Sequence, residues 1–478
     1  MTEFKILGHT PFWFQKDTII FGIQNMKAGF CLDVGLGKTR CAIDTIRYFK
    51  NKELMETTLV VCPTSMMESW KESISFYAHE YAICIEGTKQ KREKLLTKSF
   101  EWYIINYEAL DPYLLNLKKL KPDAIIFDEV SRYLKTWDSS RTKASIFLAD
   151  RAKYKLLLTA TPLSKDLTQI WPFFRVLDEG QTFGRDFRKW RKEYFNKRKF
   201  ENFTTYRVKR SYETYISKML NNKCIFFKKE DVKKDLPDKI YQTLPIVLPD
   251  SYMSQYESIQ ENIISEIETE GKKRHVNVQH IFTKLIRLQE FTSGFITDVS
   301  GEKIALDFTP KLDLLEESIL EIISSGESCI VWTKFKKSLA MISERLQAKK
   351  IKFFAMSGDD NSKEKFTKWS TFQTSNTINV FVAQISAGGV GIELFKKDST
   401  EDRTQHSLFY ENDWAEDVRT QAEGRPHREG QKSTCRYVDY LVKNTIDYKI
   451  YWSIKQTRRA SENLLKLGIR EFLTGDYE

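Results

Sequence analysis

Leu32-Asp33-Val34-Gly35-Leu36-Gly37-Lys38-Thr39-Arg40 is the stretch on which the reading of the chain turns. The apolar run Phe30-Cys31-Leu32 suits a buried strand, and Cys41, Ala42, Ile43 and Ile46 recur at helical spacing behind it. Strand, glycine turn, Lys-Thr and helix, in that order, make a phosphate-binding loop. Glycine lets the backbone N–H groups of Gly35, Leu36 and Gly37 close around an anion, and the helix start adds partial positive charge. Lys38 would reach the β- and γ-phosphates of ATP, the Thr39 hydroxyl would hold Mg2+, and Arg40 follows them at the nucleotide. Leu32 stands where such loops usually have their first glycine, so an ordinary glycine-rich turn is the competing reading. The other segments must decide.

The chain of 478 residues is long enough for two or three domains with full cores. Hydrophobic residues make up 41% and charged residues 29%, which fits a soluble globular protein. The N-terminus MTEFKILGHTPFWF lacks a basic region followed by an apolar core, and no apolar run reaches the ~18 residues of a membrane helix. Seven single cysteines without a CxxC pair argue for a reducing, cytoplasmic compartment and against structural zinc. The formal net charge of +11 favours a polyanionic partner. Between Arg185 and Asp235 there are 17 Lys/Arg and 7 Asp/Glu, so this window carries nearly the whole excess. Aromatics run through it (Trp190, Tyr194, Phe195, Phe200, Phe203, Tyr206, Tyr212, Tyr215). A groove along a phosphate backbone, with Arg188, Lys189, Arg191 and Lys192 among its contacts, is one reading; a solvated helical face over a small core is the other.

Further apolar runs predict parallel strands at Thr58–Cys62, Trp102–Asn106, Ala124–Phe127 and Lys155–Thr161, with helices such as Met66–Tyr77 between them. The run PFWFQKDTIIFGIQ reads as a turn into an amphipathic helix. Asp128-Glu129 closes the fourth strand, and ligands of doubly wound sheets bind at the carboxyl ends of strands. Asp128 could hold Mg2+ through water while Glu129 orients or deprotonates the attacking water. A second alternating block follows: strands Cys329–Trp332, Lys352–Ala355, Asn379–Ala383 and Leu408–Tyr410, a helix Ser338–Leu346, and the turn Ala387-Gly388-Gly389-Val390-Gly391. In Gln421–Gln431, Arg425 and Arg428 would share one side of a helical turn. The fold class expected is α/β, two tandem RecA-like doubly wound parallel-sheet lobes with basic helical insertions, ATP bridging a cleft between them. The expected divisions are 1–184, a basic helical insertion 185–235, a helical linker and protrusion 236–308, and 309–478.

In this order the motifs resemble the Swi/Snf-type ATPases of helicase superfamily two, over most of the chain. Pro11 with Phe14-Gln15 is similar to the adenine-sensing glutamine motif, and VGLGKT to the phosphate loop. Val60–Trp70 and Tyr103–Leu110 resemble segments that meet the nucleic-acid backbone, DEVS (Asp128–Ser131) a DEAH-like box, and Leu156–Trp171 the Thr-Pro coupling motif. Leu236–Tyr256 resembles the entry to the second lobe, Ala387–Leu394 a nucleic-acid and ATP-sensing loop, and Asp413–Gln431 the arginine-finger motif. Glu393 in place of Asn, Ala160 in place of Gly, and Ala415-Glu416 in place of Asn-Pro depart from the pattern.

The resemblance implies a monomeric, DNA-stimulated ATPase that moves along duplex DNA and migrates forks or junctions, of phage or bacterial type. It assigns Lys38, Glu129, Arg428 and Arg425 to catalysis, and Thr39 and Asp128 to Mg2+. Gln15, Gly391 and Gln421 join the loop residues at ATP. Pro63, Thr64, Asn106, Thr161, Gly389 and Trp414 go to strand contact or coupling, with packing as the alternative for each. An RNA-directed helicase and a non-hydrolysing ATP-switched clamp are the competing functions.

Overall fold

The structure is a computed structural model that describes residues 10–160, 167–199, 204–232, 238–273, 278–298, 300–388, 394–396, 404–427 and 431–455. Two compact units divide the chain, one taking Met1–Asp235 and Asn361–Lys363, the other Leu236–Asp360 and Glu364–Glu478.

The first unit is built on strands Lys27–Leu32 (β1), Thr58–Cys62 (β2), Ala82–Cys84 (β3), Trp102–Asn106 (β4), Ala124–Phe127 (β5) and Tyr154–Thr159 (β6). Phe195–Lys199 (β7) and Thr204–Val208 (β8) form an antiparallel hairpin, and Cys224–Phe227 (β9) returns to the main sheet. That sheet runs β3-β4-β2-β5-β6-β1-β9, with every pairing parallel. Successive side chains of a strand face opposite sides, and both sides here are covered. Leu59 and Val61 enter one core with Ile105, Phe127 and Leu157; Val60 and Cys62 enter the other with Phe30, Ile104 and Ile126. Burial on both faces is why the strands read as unbroken apolar runs.

Sheet order has one consequence that charge alone would forbid. Lys27 and Lys155 are register partners on β1 and β6, so two ammonium groups lie side by side. Glu179 lies against both, at 2.7 and 2.6 Å. Burial works against that carboxylate, yet the hydrogen bonds from Lys155 and Lys27 outweigh it and bring its pKa down to about 2.

The second unit carries Lys239–Ile246 (β10), Phe295–Thr297 (β11), Lys303–Ala305 (β12), Ser328–Thr333 (β13), Phe353–Met356 (β14), Val380–Gln384 (β15), Thr404–Phe409 (β16) and Thr434–Val442 (β17). Its main sheet runs β10-β17-β16-β13-β15-β14, again all parallel. Cys329 and Val331 enter one core, Ile330 and Trp332 the other. Two parallel α/β sheets in tandem are the expected fold class. Among the described residues no helix is long and apolar enough to cross a membrane.

Three expectations need correction. The basic insertion is not simply helical: it holds the β7–β8 hairpin, and β9 extends the main sheet beside β1. Several of its aromatics are core: Trp190, Tyr194 and Phe195 are buried with Phe183 and Phe187, Tyr206 and Tyr212 pack against them, and Tyr215 is exposed, while Phe200 and Phe203 lie outside the described residues. Trp13–Asn25 (α1) is a helix without a clean apolar face: Gln15 and Thr18 are buried, while Trp13 and Ile20 are exposed.

Candidate nucleotide site

All strands of the first sheet point one way, so the carboxyl ends of β1, β6 and β5 lie along one edge. β1 runs into the glycine loop, and Lys38–Asn51 (α2) starts directly behind it. Gly35 and Gly37 sit at φ +86° and +79°, the left-handed region that glycine enters without steric cost. A Cβ on Gly37 would also lie 2.5 Å from Gln15 Nε2. The loop is pinned from its flank: Asp33 N donates to Phe227 O at 3.0 Å, and Lys229 N donates to Asp33 Oδ2 at 3.0 Å. Edge strand β9 thus braces the loop from nearly two hundred residues away in sequence.

Lys38 Nζ donates to the carbonyls of Leu32 (2.8 Å) and Asp33 (3.4 Å), within the loop it serves. Gln15, expected to select adenine, is buried and uses both ends of its amide. Phe12 N donates to its Oε1 at 3.1 Å, and its Nε2 donates to Leu36 O at 3.2 Å. Here Gln15 ties the start of α1 to the loop. Arg40, expected at ATP, is buried instead between Asp44 (3.5 Å) and the Tyr77 ring (5.0 Å to its centre), where it serves the packing of α2 on Met67–Ala78 (α3).

Asp128 and Glu129 follow β5, 2% and 4% exposed. Glu129 adopts φ +52°, which costs a non-glycine residue about 1 kcal/mol. Glu129 Oε2 is buried without a hydrogen-bond partner among the described residues. Asp128 is tethered on every side: its N donates to Val61 O (2.8 Å), and its carbonyl accepts from Tyr107 Oη (2.7 Å). Oδ1 accepts from Glu129 N (2.9 Å) and Oδ2 from Trp70 Nε1 (2.9 Å). Burial, and then the neighbouring Glu129 charge, push its pKa up to about 7, opposed by the Trp70 bond and by the positive charge of Lys38. Lys38 and Asp128, ninety residues apart in sequence, therefore sense one another electrostatically. Thr159 at the end of β6 donates to Ser131 Oγ at 2.8 Å, joining the strand between the two motifs to the acidic segment.

These groups fit a nucleotide with its magnesium. The glycine loop offers N–H groups to an anion, Asp128 is a fixed buried carboxylate, and Glu129 brings an unpartnered carboxylate oxygen. Thr39 and Asp128 are the residues that would hold the metal.

Residues 24–293, more than half of the chain, match the SNF2-related domain. The chain belongs to the SNF2-related family. The ISWI chromatin-remodeling complex ATPase ISW2 of Saccharomyces cerevisiae is similar to it, 23% identical over 467 residues that take in 93% of this chain and 40% of that protein. An uncharacterized ATP-dependent helicase of Mycoplasma pneumoniae is 24% identical over 441 residues, 90% of this chain and 40% of that protein. The SNF2-related chain thus spans about two-fifths of the length of these curated relatives. Among solved structures, the Sulfolobus solfataricus SWI2/SNF2 ATPase core in complex with dsDNA is 18% identical with a TM-score of 0.44, covering 99% of this chain and 98% of that one.

The remaining expected residues of the SNF2-related chain fall into four groups. Pro63 is buried and Thr64 exposed at the turn after β2; Asn106 ends β4 and donates to Glu108 (2.9 Å). Arg188, Lys189 and Lys192 are exposed on the helix Phe187–Tyr194, whereas Arg191 is half-buried with its guanidinium 4.2 Å from the Tyr206 ring centre. In the second unit the helix Glu416–Glu423 ends before Arg425, so Arg425 lies in the following turn and not on a helix. Pro426 accounts for the stop, because proline cannot continue a helix. Arg425 and Gln421 are both buried, and Trp414 packs on the core around Ile446 and Ile450. Thr161, Gly389, Gly391 and Arg428 lie outside the described residues.

Trp70 and Arg419 have no individual role in the sequence motifs that contain them. A buried tryptophan needs a partner for its N–H, which was the available signal for the first. Arg419 carried no such signal. It is bound by Asp439, Asn412 and Glu423 and lies 3.3 Å from the Phe409 ring centre. Burial alone would disfavour its charge, but Asp439 and Glu423 more than reverse that.

Proposed function

We propose that this SNF2-related chain hydrolyses ATP to move along duplex DNA, and that forks and junctions are the DNA it remodels. The observation that supports this reading is the buried Asp128-Glu129 pair at the end of β5, with Glu129 Oε2 unpartnered and Asp128 responding to the charge of Lys38.

The loop N–H groups and Lys38 bind the phosphates. Thr39 and Asp128 would hold magnesium, which would supply neutralising charge at the phosphates. Glu129 orients a water and takes its proton at Oε2. Arg425 and Arg428 offset charge on the transferring phosphoryl group. The exposed cations Arg188, Lys189 and Lys192 track the DNA backbone, Pro63, Thr64, Asn106, Thr161, Gly389 and Trp414 serve strand contact or coupling, and Gln15, Gly391 and Gln421 join the loop residues at ATP. The lobe entry of Swi/Snf type at Leu236–Tyr256 favours DNA over RNA.

The experiment is ATP hydrolysis with no nucleic acid, single-stranded DNA, linear duplex, a four-way junction and structured RNA, each with wild type and Glu129→Gln. Junction or duplex should stimulate most, and Glu129→Gln should bind ATP but lose ~100-fold or more of turnover. Strongest stimulation by RNA would replace the substrate reading. Normal turnover by Glu129→Gln would remove the assigned base, and no hydrolysis by wild type under any condition would leave an ATP-switched clamp.

A further inference from the structure

Among the described residues the Asp128 carboxylate has one side-chain tether, the indole of Trp70, which donates to Oδ2 at 2.9 Å. Trp70 is fully buried on α3, the helix that follows the Pro63-Thr64 turn after β2. The other carboxylate oxygen is met by the backbone N–H of Glu129, its own neighbour in the chain. A local bond of that kind follows the carboxylate wherever the chain goes. The indole does not, because it is anchored 58 residues away in a packed core.

The chemistry of the donor matters as much as its place. Indole carries one N–H and no acceptor, so it bonds a carboxylate in a single orientation. It is also neutral. A lysine or arginine there would cancel the charge that a divalent cation requires, whereas a neutral donor orients the carboxylate and leaves its charge available. One lone pair on each oxygen also stays open, since each can accept two bonds. Outer groups that orient a ligand in this way typically set metal affinity by 10–100-fold.

We propose that Trp70 is a positioning residue for the metal-holding carboxylate of Asp128, acting through its indole N–H. The proposal rests on the assignment of Asp128 to the magnesium of ATP. It makes α3 part of the nucleotide site.

The test is Mn2+ binding to the full chain by electron paramagnetic resonance, with a non-hydrolysable ATP analogue present. Trp70→Phe removes the N–H together with some bulk. Incorporating 3-benzothienylalanine at position 70 keeps the shape and replaces N–H by sulfur, so it remains informative if Trp70→Phe folds poorly. Trp102→Phe is the packing control: Trp102 is equally buried on β4, and its N–H goes to Glu80, away from Asp128. Both Trp70 variants should bind Mn2+ about 10–100-fold more weakly, and their Mg2+ requirement for hydrolysis should rise in step, while Trp102→Phe matches wild type. Mn2+ affinity within about twofold of wild type in the benzothienyl variant would overturn the proposal, and so would an equal loss in Trp102→Phe. Asp128→Asn separates the two levels. If it binds Mn2+ as wild type does, the assignment of Asp128 itself fails; if it loses Mn2+ while the Trp70 variants keep it, only the role of Trp70 fails.

Discussion

Arg419→Met should destabilise the second unit more than any exposed substitution could. The Arg419 and Asp439 side chains are 4% and 1% exposed, and the guanidinium also binds Asn412 and Glu423. Each hydrogen bond to a charged partner is worth ~1.5–3 kcal/mol, so the bonds at 3.0 Å to Asp439 Oδ2 and 2.8 Å to Glu423, with the further bond to Asp439 Oδ1, sum to ~5–9 kcal/mol gross. The cost of burying the ions offsets part of that. What methionine adds is a stranded carboxylate at Asp439, and breaking a buried pair in this way costs ~3–5 kcal/mol. For a unit of this size that corresponds to a fall of about 6–20 °C in unfolding temperature. Calorimetry on the full chain reads it as a shift confined to one of two transitions, since the two units need not unfold together. The double variant Arg419→Met/Asp439→Leu should recover most of the loss, because it removes the stranded charge. A single-variant loss below about 1 kcal/mol, or no recovery in the double variant, would refute the reasoning. Gln421 sits on the helix that this network holds and Arg425 in the turn after it, so ATP hydrolysis should fall as well.

Two further expectations concern charge. Reversing Arg188, Lys189 and Lys192 together should weaken DNA binding and lower the salt slope by up to about 3, near 0.9 per lost phosphate contact, measured by anisotropy against salt concentration. Arg191 is better left in place, because its stacking on Tyr206 makes a folding defect hard to separate from a binding defect; an unchanged slope in the triple variant would remove this face from the DNA interface. Glu179 has a folded pKa of about 2 against an ordinary 4.5, so its contribution is complete above pH ~4.5 and is lost as pH falls through ~2. The unfolding temperature of wild type should drop across that window, and Glu179→Gln should lack this part of the drop; identical profiles would show that Lys27 and Lys155 do not depend on Glu179.

Much of the fold was legible because a parallel sheet covered on both faces writes itself as short apolar runs. β2, β4 and β5 coincide with their expected bounds, and β13 and β15 differ by a residue or so. Edge strands escaped for the converse reason. β10 is exposed along most of its length, so Lys239–Ile246 carries no apolar run, and β9 is hidden in a cationic stretch that reads as helix. The aromatics of the basic window misled because periodicity does not say which way a ring faces; Trp190 and Tyr194 turn inward onto Phe183.

The sequence by itself determined the glycine loop, the Lys-Thr pair behind it and the acidic pair ending a strand, because each depends on neighbours a few residues away. Only the tertiary structure decided that β6 lies between β1 and β5, that Trp70 holds Asp128 across 58 residues, and that Glu179 neutralises two lysines set side by side by strand register. It likewise decided that Gln15 spends its amide on Phe12 and Leu36, and that Arg40 turns to Asp44 and Tyr77. A hydrogen bond or ion pair needs two groups within about 3–4 Å, and a string of residues fixes that separation only for groups close together along the chain.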